Sequence, residues 1–188
     1  MNFIEEIEKY KPINEQEKND KRIILDYIDN FHENILTREN LIAHMTSSGL
    51  ILNKTLDKIL MIHHNIYNTW TWTGGHADGD SDMLKVALKE AKEETGLLDV
   101  VPLTEDLISI DIIPVYGHRK KGKYISAHLH LNTSYVLIGK EIEETVINEE
   151  ETSGVGWIKV NNLYKYSNEP YIIEIYNKII NKARKIKK

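Results

Sequence analysis

The spacing of apolar and polar positions changes several times along the chain and marks out the elements to expect. Near the start, Phe3, Ile4, Ile7 and Tyr10 fall at helical spacing and predict a short helix that ends near Pro12. A second helix is predicted over 15–31, with Ile23, Ile24, Tyr27, Ile28 and Phe31 as its stripe. From Leu41 the pattern shortens. LIAHMTSSGLIL (41–52) and DKILMIHHNI (57–66) read as strands joined by a hairpin-like connection at Asn53-Lys54-Thr55. DLISIDIIPVYG (106–117) and AHLHLNTSYVLIG (127–139) read as two more, with RKKGK (119–123) as a basic turn between them. On the second of these, His128, His130, Asn132 and Ser134 share one face, while Leu129, Leu131, Thr133, Tyr135 and Leu137 share the other. A loop rich in acidic residues (141–151) leads to a strand at Val155-Gly156-Trp157-Ile158. Tyr171, Ile172, Ile175, Tyr176, Ile179 and Ile180 then form the stripe of a closing helix with a basic tail, where cations suit the helix C-terminus.

One helical stretch differs from the rest because a glycine-rich segment leads into it. Gly74-Gly75-His76-Ala77-Asp78-Gly79-Asp80 reads as a loop able to turn sharply and approach a ligand. Ser81 or Asp82 is the expected N-cap, Met83 to Thr95 the helix, and Gly96 its stop. Leu84, Ala87, Leu88, Ala91 and Thr95 predict the buried stripe. Glu90 and Glu94 lie one turn apart on the other side, and Glu93 is an i+3 neighbour of Glu90. Three like charges in such proximity repel, and a hard divalent cation such as Mg²⁺ or Mn²⁺ would turn that repulsion into binding. A plain solvated acidic face, with Lys89 and Lys92 partly neutralising it, is the competing reading.

Composition narrows the classes. At 188 residues, 41% hydrophobic and 28% charged, the chain reads as a soluble globular domain with an appendage. No apolar run reaches the roughly 18 residues of a membrane span, and the acidic, mixed N-terminus does not read as a secretory signal. The absence of cysteine excludes disulfides, thiolate metal sites and a cysteine nucleophile, and agrees with a cytoplasmic setting. A net charge of −5 argues against general nucleic-acid binding. There is no internal repeat and no low-complexity linker.

The glycine–helix stretch resembles the box of the Nudix hydrolases, G-x5-E-x7-R-E-U-x-E-E-x-G-U, with U a bulky aliphatic residue. With Gly75 as the first glycine, Glu90, Glu93, Glu94, Gly96 and Leu97 fall on matching positions. Ser81 stands where the first Glu is expected, Lys89 where the Arg is expected, and Ala91 in an aliphatic slot. The HMTSSGLIL strand, the His63-His64 pair and the HLH strand extend the likeness to a branch of that superfamily with a GGHADGD-type box. The resemblance implies an α/β fold, the Nudix α/β/α sandwich with a mixed β-sheet, preceded by an N-terminal helical extension. Residues 1–40 would be the extension and 41–188 the Nudix hydrolase domain.

It also implies hydrolysis of a diphosphate linkage in a nucleoside diphosphate derivative or related organic diphosphate. The metal ligands would be Glu90, Glu93, Glu94 and Gly74, holding Mg²⁺ or Mn²⁺. The catalytic set would be Glu93 together with Glu151 or Glu150 of the acidic loop as candidate bases, and Lys89 as the supporting cation. Asp80 or Asp82 would be alternative partners for Lys89. His76, His128 and His130 are the candidates for contacting substrate phosphate. His128-x-His130 can also bind zinc, and His118 would complete a three-histidine site. The N-terminal helices are expected to cover a sheet face or to form a homodimer contact. A non-catalytic Nudix module that senses a nucleotide is the alternative function. An isoprenoid diphosphate isomerase is disfavoured, because that related enzyme uses a cysteine and this chain has none.

Overall fold

The structure, a computed structural model, describes residues 3–66, 68–120, 122–148 and 152–187. At its centre is β1 (Ala43–Leu52), buried along its whole length. It runs parallel to β9 (His128–Ile138) from Ala43↔Leu129 to Leu52↔Ile138. Antiparallel neighbours are β2 (Lys58–His64), which pairs through Ile51↔Leu60, and β4 (Thr73–His76), which pairs from Thr46↔His76 to Gly49↔Thr73. Around this centre β10 (Thr152–Lys159) and β3 (Thr69–Thr71) pair with β2, while β5 (Val101–Pro102) and β6 (Ser109–Val115) pair with β9. One parallel pairing among antiparallel ones makes the sheet mixed. Strands buried on both faces need covering layers, and helices supply them.

On one face, Met45, Ile51, Leu131, Tyr135 and Leu137 pack with Met83, Ala87 and Ala91 of α3 (Met83–Thr95). The same cluster takes in Phe3 and Ile7 of α1 (Phe3–Lys9) and Ile24 and Ile28 of α2 (Glu15–Phe31). On the other face, Leu50, Leu52, Ile59, Met61 and Val136 meet α5 (Pro170–Ile186), through Ile172, Ile175, Tyr176, Ile179 and Ile180. A short helix, α4 (Leu163–Tyr166), precedes α5. The layers are helix, mixed sheet, helix, as the resemblance implies.

Several details differ from the sequence reading. The basic RKKGK segment is more than a turn: β7 (His118–Lys120) and β8 (Lys123–Ile125) form a separate two-stranded ribbon. Gly74, Gly75 and His76 are not loop but strand, because β1 offers them an edge to pair with. The turn itself follows them, with Asp78 at φ +46 and Gly79 at φ +92. On α3 the buried residues are Met83, Val86, Ala87, Ala91, Glu94 and Thr95, so Leu84 and Leu88 sit only at the edge of the stripe. The hydrophobic stripe is thus interrupted by a buried carboxylate, which an apolar pattern cannot anticipate.

Candidate active site and a histidine cluster

The position of α3 is fixed by its two ends. Asp82 is the N-cap and accepts a hydrogen bond from the Lys85 amide at 2.9 Å. Gly96 closes the helix at φ +74, in the left-handed region that favours glycine, with its amide on the Lys92 carbonyl. Between them α3 lies against β1, where Ser47 Oγ donates to the Met83 carbonyl at 2.6 Å.

That packing carries two box carboxylates onto the glycine pair. Glu94 is 3% exposed, and its Oε2 accepts from the Gly74 amide at 2.9 Å. Glu90 lies over Gly75 so closely that a Cβ there would stand 2.5 Å from Glu90 Cδ. The strand's missing side chain is the space the carboxylate uses. Glu93 is half exposed. Lys89 bridges the outer pair, with Nζ 3.0 Å from Glu90 Oε1 and 3.4 Å from Glu93 Oε2. Those carboxylates hold the Lys89 ammonium above its ordinary pKa, Glu90 most strongly. One cation therefore already sits between Glu90 and Glu93. Asp80 is paired with Lys85 at 2.8 Å and Asp82 caps the helix, so Lys89 takes the box glutamates as its partners. Ser81 is exposed beside them. Oxygen donors converging on one glycine pair suit a hard divalent ion. Glu150 and Glu151, the loop carboxylates named as candidate bases, lie outside the described residues.

The histidines form a second constellation. Side chains alternate along a strand, so if Gly75 faces α3, His76 faces the other way. There it meets His128 and His130 of β9 and a fourth imidazole, His44 of β1, whose register partner is His130. One nitrogen from each ring lies within 4.8 Å of the others. His44 stacks on His128 with ring centroids 5.0 Å apart, and His76 meets His130 edge-on at 4.8 Å. Behind the cluster on the same face, Asn132 Oδ1 accepts from Thr46 Oγ1 at 2.9 Å and Ser48 Oγ at 3.0 Å. Burial, aided by the neighbouring Arg38 and the other imidazoles, pushes His76 down to about 3, while burial and the other imidazoles push His130 down to about 2. His44 is lowered as well, chiefly by burial. At neutral pH the His76 and His130 rings are uncharged.

His118 does not complete this group. It belongs to the β7–β8 ribbon, and its Nδ1 donates to the Tyr116 carbonyl at 3.0 Å. Of the His63-His64 pair, His63 packs on Trp70 and bonds Ser153 Oγ at 2.8 Å. His44 is the member that sequence reasoning missed. Its signal was the alternation His44, Thr46, Ser48, the same polar face read correctly on β9. Arg38 was missed too; it makes a two-pronged ion pair with Asp78 of the box turn at 2.9 and 2.6 Å.

Solved structures with the same fold can be placed beside this one. The E. coli dihydroneopterin triphosphate pyrophosphohydrolase matches with a TM-score of 0.55 at 13% identity, over 73% of this chain and 95% of that one. A NUDIX family hydrolase from Clostridium perfringens matches with a TM-score of 0.52 at 21% identity, over 73% and 96%. The C. elegans Ap4A hydrolase, in a binary complex, gives 0.52 at 16%, over 71% and 93%. At these identities the likeness is one of fold. No curated protein matches the sequence. The NUDIX domain model matches residues 43–179, from the first residue of β1 into α5 and across the glycine pair and all three box carboxylates; the chain belongs to the NUDIX domain family.

Proposed function

We propose that the protein hydrolyses a diphosphate linkage in a nucleoside diphosphate derivative or a related organic diphosphate, using Mg²⁺ or Mn²⁺ held on α3. Diphosphate-bond hydrolysis is the reaction class of the Nudix hydrolases; the substrate class and the ion are our inference. The observation that carries the reading is the seating of Glu90 and Glu94 on Gly75 and Gly74. A merely solvated acidic face would turn both carboxylates outward, and neither does so here.

In this reading Glu90, Glu93, Glu94 and the Gly74 main chain would hold the ion. Bound there, a divalent ion offsets charge on phosphate oxygens and lowers the pKa of water. The chain's own residues do the rest. The Gly74 amide fixes the Glu94 carboxylate, so no reorganisation is needed when substrate arrives. Lys89 relieves the repulsion between Glu90 and Glu93 in the absence of substrate. Glu93 is half exposed on the same turn and is assigned as an acceptor for the proton of the attacking water. Glu151 and Glu150 stay in the assignment as alternative bases. His76 and His130, uncharged at neutral pH, would meet a phosphate only as neutral hydrogen-bond donors, with His128 beside them.

The test begins with a screen of nucleoside triphosphates, sugar nucleotides, dinucleotides and CoA esters with Mg²⁺ or Mn²⁺. On the best substrate, Glu94→Gln keeps an oxygen for the Gly74 amide and removes the charge. We expect kcat to fall by roughly 10²-fold or more, equivalent to about 2.7 kcal/mol, with the protein still folded. Turnover at the parent rate in Glu94→Gln, or in excess chelator, would overturn the assignment. Nucleotide binding without turnover in the parent would favour a sensor.

A further inference from the structure

We propose that His44, His76, His128 and His130 form a second metal site that takes a borderline divalent transition ion, zinc first, on the face of the sheet opposite the box carboxylates. Four observations carry it. The first is convergence: three strands, β1, β4 and β9, each turn imidazole to one point, with one nitrogen per ring within a 4.8 Å span. The second is an unanswered atom. His44 is 5% exposed, and its Nε2 is buried with no hydrogen-bond partner. A buried polar atom left this way calls for an explanation, and a bound ion is one that fits a ring aimed into a cluster of imidazoles.

The third observation is the ring orientation. His44 Nδ1 donates to the Asn40 carbonyl at 2.9 Å, and His128 Nδ1 donates to the Ser126 carbonyl at 2.9 Å. A carbonyl can only accept, so each Nδ1 carries the hydrogen and each Nε2 presents a lone pair. Backbone carbonyls fix the tautomer of metal-bound histidines in just this manner. The fourth is spacing. Zinc–nitrogen bonds of 2.0–2.1 Å at tetrahedral angles separate ligand nitrogens by about 3.3–3.4 Å. His128 Nε2 and His130 Nε2 are already 3.3 Å apart.

The donor set also fixes the class of ion. Four imidazoles and no carboxylate suit zinc, cobalt or nickel, and offer nothing to magnesium, which demands oxygen. The two faces of β4 thus differ in chemistry: Gly75 receives a carboxylate for a hard ion, and His76, the next residue, gives nitrogen to a softer one. Bound at the cluster, zinc would tie β1, β4 and β9 together directly behind the glycine pair that seats Glu90 and Glu94.

The experiment uses untagged full-length protein, stripped with chelator and dialysed into metal-free buffer. Zinc uptake is measured by calorimetry and elemental analysis, and thermal unfolding is followed with and without zinc. One equivalent bound at the histidines, with a rise in Tm, is expected. Cobalt in place of zinc should show the visible absorption of a tetrahedral site. His128→Gln/His130→Gln should lose this equivalent and the Tm rise, whereas Glu90→Gln/Glu94→Gln should keep both. Should the double histidine variant fail to fold, His128→Gln alone, at a partly exposed position, should weaken zinc binding by about tenfold or more. Failure of the stripped parent to bind zinc overturns the proposal. So does zinc that survives the histidine substitutions, or that is lost with the glutamates.

Discussion

Gly74 and Gly75 stand side by side but should respond to alanine in opposite ways. At Gly75 the new Cβ would meet the far end of the Glu90 side chain, 2.5 Å from Cδ. A flexible side chain can move aside, so Gly75→Ala should cost little stability, under about 1 kcal/mol, yet displace a carboxylate that the proposed function assigns to the metal, and so reduce turnover. At Gly74 the Cβ would meet backbone, with the Ser47 carbonyl at 2.8 Å and Ser48 Cα at 2.9 Å. Backbone in a buried strand yields only by shifting, and Gly74→Ala should destabilise by about 1–3 kcal/mol. Urea titrations of both variants, beside kcat, would expose a reversed or equal pattern. The glycines and the acidic residues of α3 were readable from the sequence because their spacing is local. The pairing that turns GGH into strand was not readable, because it depends on β1, 26–30 residues earlier (Thr46↔His76, Ser48↔Gly74). His44 escaped for a related reason: its companions arrive from two other strands. Restoring the motif with Lys89→Arg and Ser81→Glu should add little stability. Lys89 is 59% exposed, and exposed ion pairs contribute about 0–1 kcal/mol.

Between elements, the least anticipated feature is a buried charge cluster that joins α2, β6 and α5. Glu17 on α2 and Asp111 on β6 are fully buried, and Lys178 and Lys182 reach them from α5. Lys182 Nζ is 2.6 Å from Glu17 Oε1 and Lys178 Nζ is 2.5 Å from Asp111 Oδ1. Ser109 donates to Asp111 at 2.7 Å, Gln16 Nε2 donates to Asp111 at 3.1 Å, and the Lys182 ammonium also contacts the Tyr10 hydroxyl. From sequence, Glu17 looks like one more charge in the polar half of a helix. Only its partners, about 165 residues downstream, make it a core residue. Removing one member strands the others, so Lys182→Met should cost about 3 kcal/mol, the lower end for a broken buried pair because Lys178 stays 3.2 Å from Glu17. Burial pushes the Glu17 carboxyl up, but Lys182, the Ile13 amide and Tyr10 outweigh it and hold it below the usual glutamate range. A depressed carboxylate stabilises the fold above its unfolded pKa, about 4.3–4.5. That contribution is lost as pH falls through the lower folded value. The urea midpoint of the parent should therefore drop on acidification below about pH 4.5, and Glu17→Gln should flatten that part of the profile. An unchanged profile in Glu17→Gln would show that other carboxylates govern the acid limb.

At the scale of the whole molecule, the N-terminal helices do not sit apart from the family domain. Phe3, Ile7, Ile24 and Ile28 are each no more than 5% exposed and belong to the same apolar cluster as Met45, Ala87 and Tyr135. Polar ties follow the same route. Tyr135 donates to Glu6 Oε2 at 2.9 Å, and Tyr10 donates to the Ile108 carbonyl at 3.0 Å. The segment after α2 then reaches the box turn. The Met45 amide bonds the Ile35 carbonyl at 2.8 Å, the Gly79 amide bonds the Leu36 carbonyl at 2.9 Å, and Arg38 grips Asp78. Burying four such side chains contributes roughly 6–12 kcal/mol at about 1.5–3 kcal/mol each. The net stability of a whole domain is only about 5–15 kcal/mol. Before the entropy of ordering the helices is subtracted, that burial is comparable to the net stability of the fold. A chain beginning at residue 33, without α1 and α2, should lose its cooperative unfolding transition and bind apolar dye. A milder change separates folding from function: Arg38→Ala leaves the helices in place and releases only the turn that leads into α3. Because the pair it breaks is exposed, with both side chains at 53%, stability should fall by less than about 1 kcal/mol. Turnover should fall further than stability if the turn must be held for α3 and β4 to present Glu90 and Glu94 together. A truncated chain that melts cooperatively near the parent temperature would show instead that residues 33–188 hold the fold without α1 and α2.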